Sequence, residues 1–144
     1  MTAATNGRIT VPDTSFDLEC DRLSGIVDDA QFERLRWART EGPMLARLVA
    51  LAEGALEERS DFALVEEGTS RDDKRFTLKV HGNRVVTVVI SLDGNRAVMR
   101  VEEAERSRYR VLPGEPVSAE FALVDEAWIA SALQQLFSRI QSLA

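Results

Sequence analysis

The stretch KRFTLKVHGNRVVTVVISLDGNRAVMRV, residues 74–101, decides the fold. Apolar residues alternate with polar ones on either side of two glycine-containing breaks, Gly82-Asn83 and Asp93-Gly94-Asn95. Period-2 alternation bounded by such breaks is the pattern of half-buried strands joined as hairpins. The stretch therefore predicts three consecutive antiparallel strands.

Their register follows from the pleat, because a slip of one residue moves every side chain to the opposite face. The Asp93 turn sets Val86, Val88, Ile90 and Leu92 on one face with Ala97, Met99 and Val101. Phe76 and Leu78 join that face only if the first turn shifts the pairing by an odd count. A three-residue loop, His81-Gly82-Asn83, does this, whereas a two-residue Gly82-Asn83 turn sets Phe76 opposite Val89. The three-residue loop is the expectation. The other face carries Arg75, Thr77, Lys79, Val85, Thr87, Val89, Ser91, Val98 and Arg100, a mixture that is neither core nor cleanly solvated.

Upstream, residues 1–15 are small and polar and read as a mobile tail, with room for a short edge strand at Ile9 and Val11. A first helix is predicted from Asp28 to Thr40, with Asp28 as cap and Gln31 three residues on. Its apolar face is Phe32, Leu35 and Ala38, and Trp37 points elsewhere. Gly42-Pro43 opens a second helix that reaches about Arg59, with a wide apolar stripe from Met44 to Leu56. Phe62–Val65 reads as a strand and residues 66–73 as an exposed polar loop.

Downstream, residues 102–109 are charged and form either a short helix or a loop. Residues 117–123 alternate as a further strand. Asp125 caps a last helix, with Val124 and Ile129 placed as a hydrophobic staple. The stripe Ile129, Ala132, Leu133, Leu136, Phe137, Ile140 and Leu143 carries that helix to the end of the sequence. The predicted order is α-α-β-β-β-β-β-α. This is an α+β fold with two N-terminal helices, an antiparallel sheet of four to five strands and a C-terminal amphipathic helix on one sheet face, in one domain over residues 16–144.

A chain of 144 residues can bury a core without a disulfide or metal, and its single cysteine, Cys20, cannot form an internal disulfide. The longest apolar run, Val85 to Ile90 interrupted by Thr87, is too short to cross a bilayer, and the N-terminus lacks a signal-type apolar core. A cytoplasmic, membrane-free protein is the expectation. The net charge of −6 is unevenly spread: residues 61–110 hold 10 Lys/Arg against 9 Asp/Glu, and residues 111–144 hold 1 against 4. No basic face free of acids is visible, which disfavours nucleic acid.

The catalytic inventory is thin. His81, the only histidine, falls in a turn, and Cys20 reads as a small buried hydrophobe. No metal or cofactor is expected: zinc lacks ligands, Glu66-Glu67 and Asp72-Asp73 lack calcium-loop spacing, and phosphate-binding and nucleophile-elbow motifs are absent. No residue is assigned a catalytic role, and the reading leans away from an enzyme. Two surfaces remain. Arg75, Lys79, Arg96 and Arg100, with Arg106, Arg108 and Arg110 beyond them, could contact an anion unless Glu102, Glu103 and Glu105 pair with them. The last helix has an outer face, including Gln134, Gln135 and Ser138, on which Arg139 is the only nearby charge. Low charge suits an interface centre, and Trp37 and Trp128 lie off the apolar stripes as possible anchors.

Glu66-Glu67-Gly68-Thr69-Ser70, followed by Phe76, Gly82 and the next strand, resembles the MmcQ/YjbR family of small α+β proteins. Asp125-Glu126-Ala127-Trp128 opens a helix similar to that family's last one, and the likeness spans about residues 43–142. Arg71-Asp72-Asp73 stands where the family places an aromatic-Gly pair and a proline. The resemblance implies a DNA-associated role. Size, acidity and the last helix are also similar to secretion-chaperone-like folds, which implies an acidic binding protein. The residues themselves point first to a non-enzymatic interaction module, expected to be homodimeric, with a protein partner or a second copy at the last helix or a sheet edge.

Overall fold

The structure, a computed structural model, describes residues 14–69 and 73–143. The sequence expectations for residues 1–13, including the strand at Ile9 and Val11, lie outside the described residues. Residues 14–40 and 41–143 form two compact units.

The first unit is a pair of helices, α1 (Thr14–Val27) and α2 (Asp29–Arg39). Asp28 alone joins them. Its N–H donates to the Ser24 carbonyl at 3.0 Å, so it ends α1. Its carboxylate accepts the Gln31 N–H at 3.0 Å, so it also caps α2. Asp21 of α1 and Arg39 of α2 stand 3.8 Å apart. Among the described residues three helices thus precede the sheet, not two, and Thr14 and Ser15 are helical instead of belonging to a tail.

The second unit begins with α3 (Glu41–Leu56) and continues through β1 (Phe62–Thr69), β2 (Asp73–Val80), β3 (Asn83–Asp93) and β4 (Arg96–Glu103). It closes with β5 (Tyr109–Val111), β6 (Val117–Glu120), a single 3₁₀ turn at Phe121–Leu123, α4 (Glu126–Phe137) and β7 (Ile140–Ser142). The main sheet is antiparallel in the order β1-β2-β3-β4-β6, and β5 and β7 form a separate two-stranded sheet. The fold is α+β, with the C-terminal helix on one sheet face. Helix α3 packs on β1 and β3, α4 packs on β4 and β6, and the helices pack on each other.

The core holds most of the apolar face that the alternation predicts, with Leu92 and Val101 half-buried, and it also takes in Val85 and Val89 of the mixed face. Phe76, Leu78, Val86, Val88, Ile90, Ala97 and Met99 are buried, together with Leu45, Leu48 and Ala52 of α3 and Ile129, Ala132, Leu133 and Leu136 of α4. Asp125 caps α4 by accepting the Trp128 N–H at 2.8 Å. The Phe62 ring meets both Phe137, at 6.0 Å between centroids, and the Arg59 guanidinium, at 5.1 Å. This ties the start of β1 to the end of α4.

The register is the expected one, with Phe76 opposite Val88 and Ile90 opposite Met99. The device that sets it is different. The turn holds two residues, His81 (φ 52°) and Gly82 (φ 78°), and Val80 pairs with Asn83. Positive φ at both central positions is the type I′ hairpin turn, whose twist suits the flanking strands. The odd residue that brings Phe76 opposite Val88 is a bulge at Val85: Leu78 pairs with Val86 while Lys79 pairs with Arg84. The predicted three-residue loop is therefore replaced by a shorter turn plus a bulge of equal count.

Other boundaries also move. Glu66–Thr69, predicted as loop, extends β1, and Lys74 of β2 reaches Glu66 at 3.3 Å. Acids on such an edge strand discourage edge-to-edge pairing with another sheet. The last helix stops at Phe137 instead of running to the end. The Arg139 carbonyl turns to accept the Leu112 N–H at 2.8 Å, and Ile140 enters β7 opposite Val111.

Gly54 lies in α3 with nothing within 4 Å of the position a Cβ would take. Gly54→Ala should stabilise the unit by about 0.5 kcal/mol, because it restricts the unfolded chain without a clash. Urea unfolding would read this as a higher midpoint at unchanged slope.

Candidate functional site

The arginine-bearing face of the sheet is the first candidate, and its strands place the expected residues. Arg75 of β2, Val89 of β3 and Arg100 of β4 lie across from one another, with Thr77, Thr87 and Glu102 forming the next row. Glu102 hydrogen-bonds Arg75 and accepts from Arg100 Nε at 3.0 Å. Burial works against its charge, but the hydrogen bonds from Arg100 and Arg75 prevail and hold its carboxyl below the usual range. Two of the four proposed anion contacts are thus already engaged by one carboxylate, which offsets one of their two charges. Arg96 instead donates to Ser118 Oγ at 3.1 Å, and Lys79 sits half-buried opposite Arg84.

The centre of this face is sealed. Val89 and Thr77 are fully buried, and Thr87 and Ser91 nearly so. The Thr77 hydroxyl has no partner at full hydrogen-bonding geometry. It still lies near enough to Glu67 to favour the charged carboxylate there, against burial and together with Arg84 at 3.0 Å. The face therefore presents an arginine–glutamate cluster with one positive charge in excess, beside buried hydroxyls. Among the described residues no three His, Cys, Asp or Glu side chains gather as a metal site requires.

The outer side of α4 is the second candidate. Gln134, Gln135 and Ser138 are exposed, and Ser138 Oγ donates to the Gln135 carbonyl at 2.6 Å. Gln134 and Ser138 line a shallow apolar groove of about 520 Å³ with Ala55 and Leu56 of α3. Trp128 is half-buried at the start of α4. Trp37 lies on α2, in the other unit, and its enclosed indole N–H has no acceptor among the described residues.

The helical pair 14–40 holds a third surface, which the sequence reading missed. Neither helix contains a buried residue. Exposure is 55% at Leu23, 69% at Ile26, 76% at Val27, 66% at Phe16 and 51% at Leu35. Phe16, Cys20, Leu23 and Val27 follow one another at spacings of four, three and four, so they form a single stripe along α1. Cys20, expected to be buried, is exposed on that stripe. The stripe was the available signal. It is diluted by Leu18 and Ile26 off the seam and by Ser24-Gly25 near the end of α1.

No protein-family model, curated protein or solved structure matches this chain.

Proposed function

We propose that this protein is a self-associating interaction module whose helical pair, residues 14–40, docks against the same pair of a second copy. The observation that carries this reading is the exposed apolar stripe of α1 on a unit with no interior of its own. Two helices offer each other one face, so the apolar residues that stay exposed on the seam, Leu23 and Val27 above all, need another surface. Contiguous exposed apolar surface of this kind marks an interaction site.

The area supports a second copy as the occupant. The exposures of Phe16, Leu23 and Val27 leave roughly 350 Å² of large apolar side chain open along the seam, and Ile26 and Leu35 add roughly 200 Å², so polar rim surface completes the ~800 Å² each partner gives to a stable complex. The alternating four-three spacing is that of a bundle seam, which is self-complementary around a two-fold axis. Charge points the same way: α1 carries Asp17, Glu19 and Asp21 against Arg22, while α2 carries Arg34, Arg36 and Arg39 against Asp29 and Glu33. A four-helix arrangement that sets α1 beside α2 of the other copy brings opposite signs together. The homodimer expectation is kept, and its proposed surface shifts from α4 to α1. A DNA-associated role of the MmcQ/YjbR kind draws less support, since Glu102 occupies Arg75 and Arg100.

Light scattering across a dilution series tests this. The expected result is a dimer that the double substitution Leu23→Glu, Val27→Glu converts to a monomer, with the β-sheet circular dichroism signal unchanged. Cys20 should react with a thiol reagent slowly in the dimer and quickly in the variant. A wild-type chain that stays monomeric at millimolar concentration, with Cys20 reacting at the rate of a free thiol, would sink the reading.

A further inference from the structure

The bulge at Val85 and the connection between β4 and β5 meet at one end of the sheet. Arg84 Nε donates to the Glu105 carbonyl at 3.2 Å, and Ser107 Oγ donates to the Val85 carbonyl at 2.6 Å. Ser107 Oγ also accepts the Tyr109 N–H at 3.1 Å. These bonds pin the connection to β3 on both sides of Arg106. Arg106 is held at φ 62°, in the left-handed region that glycine or asparagine enters far more cheaply than arginine. Surroundings that force an unfavourable backbone angle on a long cationic side chain are the kind of strain that clusters at ligand sites. Bulges that re-aim a strand occur preferentially at such places too.

Between these segments lies a cleft of about 330 Å³, lined by Asn83, Arg84, Arg106, Arg108 and Tyr109. No carboxylate lines it. Arg84 is engaged by Glu67 at 3.0 Å, whereas Arg106 and Arg108 make no ion pair among the described residues. The guanidinium groups of Arg106 and Arg108 stand at one small opening without a carboxylate partner among the described residues, and they repel each other until an anion enters. Their planar forks match the oxygens of phosphate, the Asn83 amide adds a neutral donor, and the Tyr109 side chain offers an aromatic surface beside them.

We propose that this cleft is a binding site for the phosphate dianion of a small phosphorylated molecule, with Arg106 and Arg108 as the phosphate contacts, Arg84 in the wall beside them and Tyr109 against the organic part. The cleft lies in the sheet unit and is independent of the α1 seam.

Calorimetric titration of the full chain in low-salt, phosphate-free buffer tests it, with inorganic phosphate and phenyl phosphate as probes. Saturable binding of both is expected, and a preference for phenyl phosphate that is lost in Tyr109→Leu assigns an organic phosphate. Equal binding of the two probes assigns free phosphate to the same contacts. Arg106→Gly is the decisive variant. It should raise the melting temperature of the unliganded protein, since glycine is unstrained at that angle, and weaken phosphate binding roughly tenfold or more. Arg108→Gln should weaken binding similarly without the rise in melting temperature, and Arg110→Gln, outside the cleft, should change neither. The proposal is overturned by an absence of saturable binding at millimolar probe, or by binding that survives both Arg106→Gly and Arg108→Gln. Tight oligonucleotide binding indifferent to Arg106, with no binding of either small probe, also overturns it.

Discussion

Ile90→Ala should cost the sheet unit about 3–4 kcal/mol. Ile90 is fully buried at the middle of β3, the central strand, between Lys74 of β2 and Met99 of β4. Both covering helices supply buried leucines to the same core, so few exposed groups are available to collapse into the space left. A close-packed interior that cannot relax loses both the transfer free energy of the deleted methyl groups and the contacts around the cavity. The measurement is chemical denaturation, with the midpoint falling and the slope unchanged, and a melting temperature lower by on the order of 10 °C. A loss below about 1 kcal/mol would mean that this face is not close-packed.

Gly94→Val should cost about 2–3 kcal/mol through the backbone alone. Gly94 has φ 59° and opens the two-residue β3–β4 turn, in which Asp93 pairs with Arg96. Asn95 is not among the positive-φ residues, so the turn is of the II′ kind, with glycine at its first central position. Nothing lies within 4 Å of the site a Cβ would occupy, so no packing term enters. A β-branched residue is held far from its own allowed regions there. Gly54→Ala in α3 is the matched contrast. It is also an unobstructed glycine substitution, and it has the opposite sign because its backbone angle is ordinary. Thermal melts of the two variants side by side separate backbone strain from crowding.

The pleat alternation made the buried sheet face legible, and with it the pairing of Phe76 with Val88. The backbone device was not legible, because Val85 and Val86 are both apolar. Alternation cannot show which of two neighbouring valines is the unpaired one. Ile140 and Leu143 continue the helical period of Ile129, Leu133 and Leu136, which hid β7. What ends the helix is the hydrogen bond from Leu112 to the Arg139 carbonyl, a long-range contact with no local signature. Glu66 and Glu67 read as loop because they are charged, yet their place is on an edge strand, where charge is an advantage.

The functional surfaces were legible to a different degree. Residue type alone picked out the arginines, but partners decide which of them remain available. Glu102 takes Arg75 and Arg100, while Arg106 and Arg108, grouped with them in sequence, end up around a separate cleft. The apolar seam of α1 was obscured for a related reason. Amphipathic patterns are read on the assumption that apolar residues go inside, and α1 turns its apolar residues outward.

The β2–β3 hairpin has a further consequence. Its register depends on the sum of turn length and bulge, not on either alone. One residue inserted beside Gly82 and one deleted at Val85 would leave Phe76 opposite Val88. Chain length in this hairpin is therefore constrained only in total, and related sequences are free to trade a residue between the two places. An alignment that requires each gap to stand alone would score such a pair of changes as two defects, although the sheet would register none.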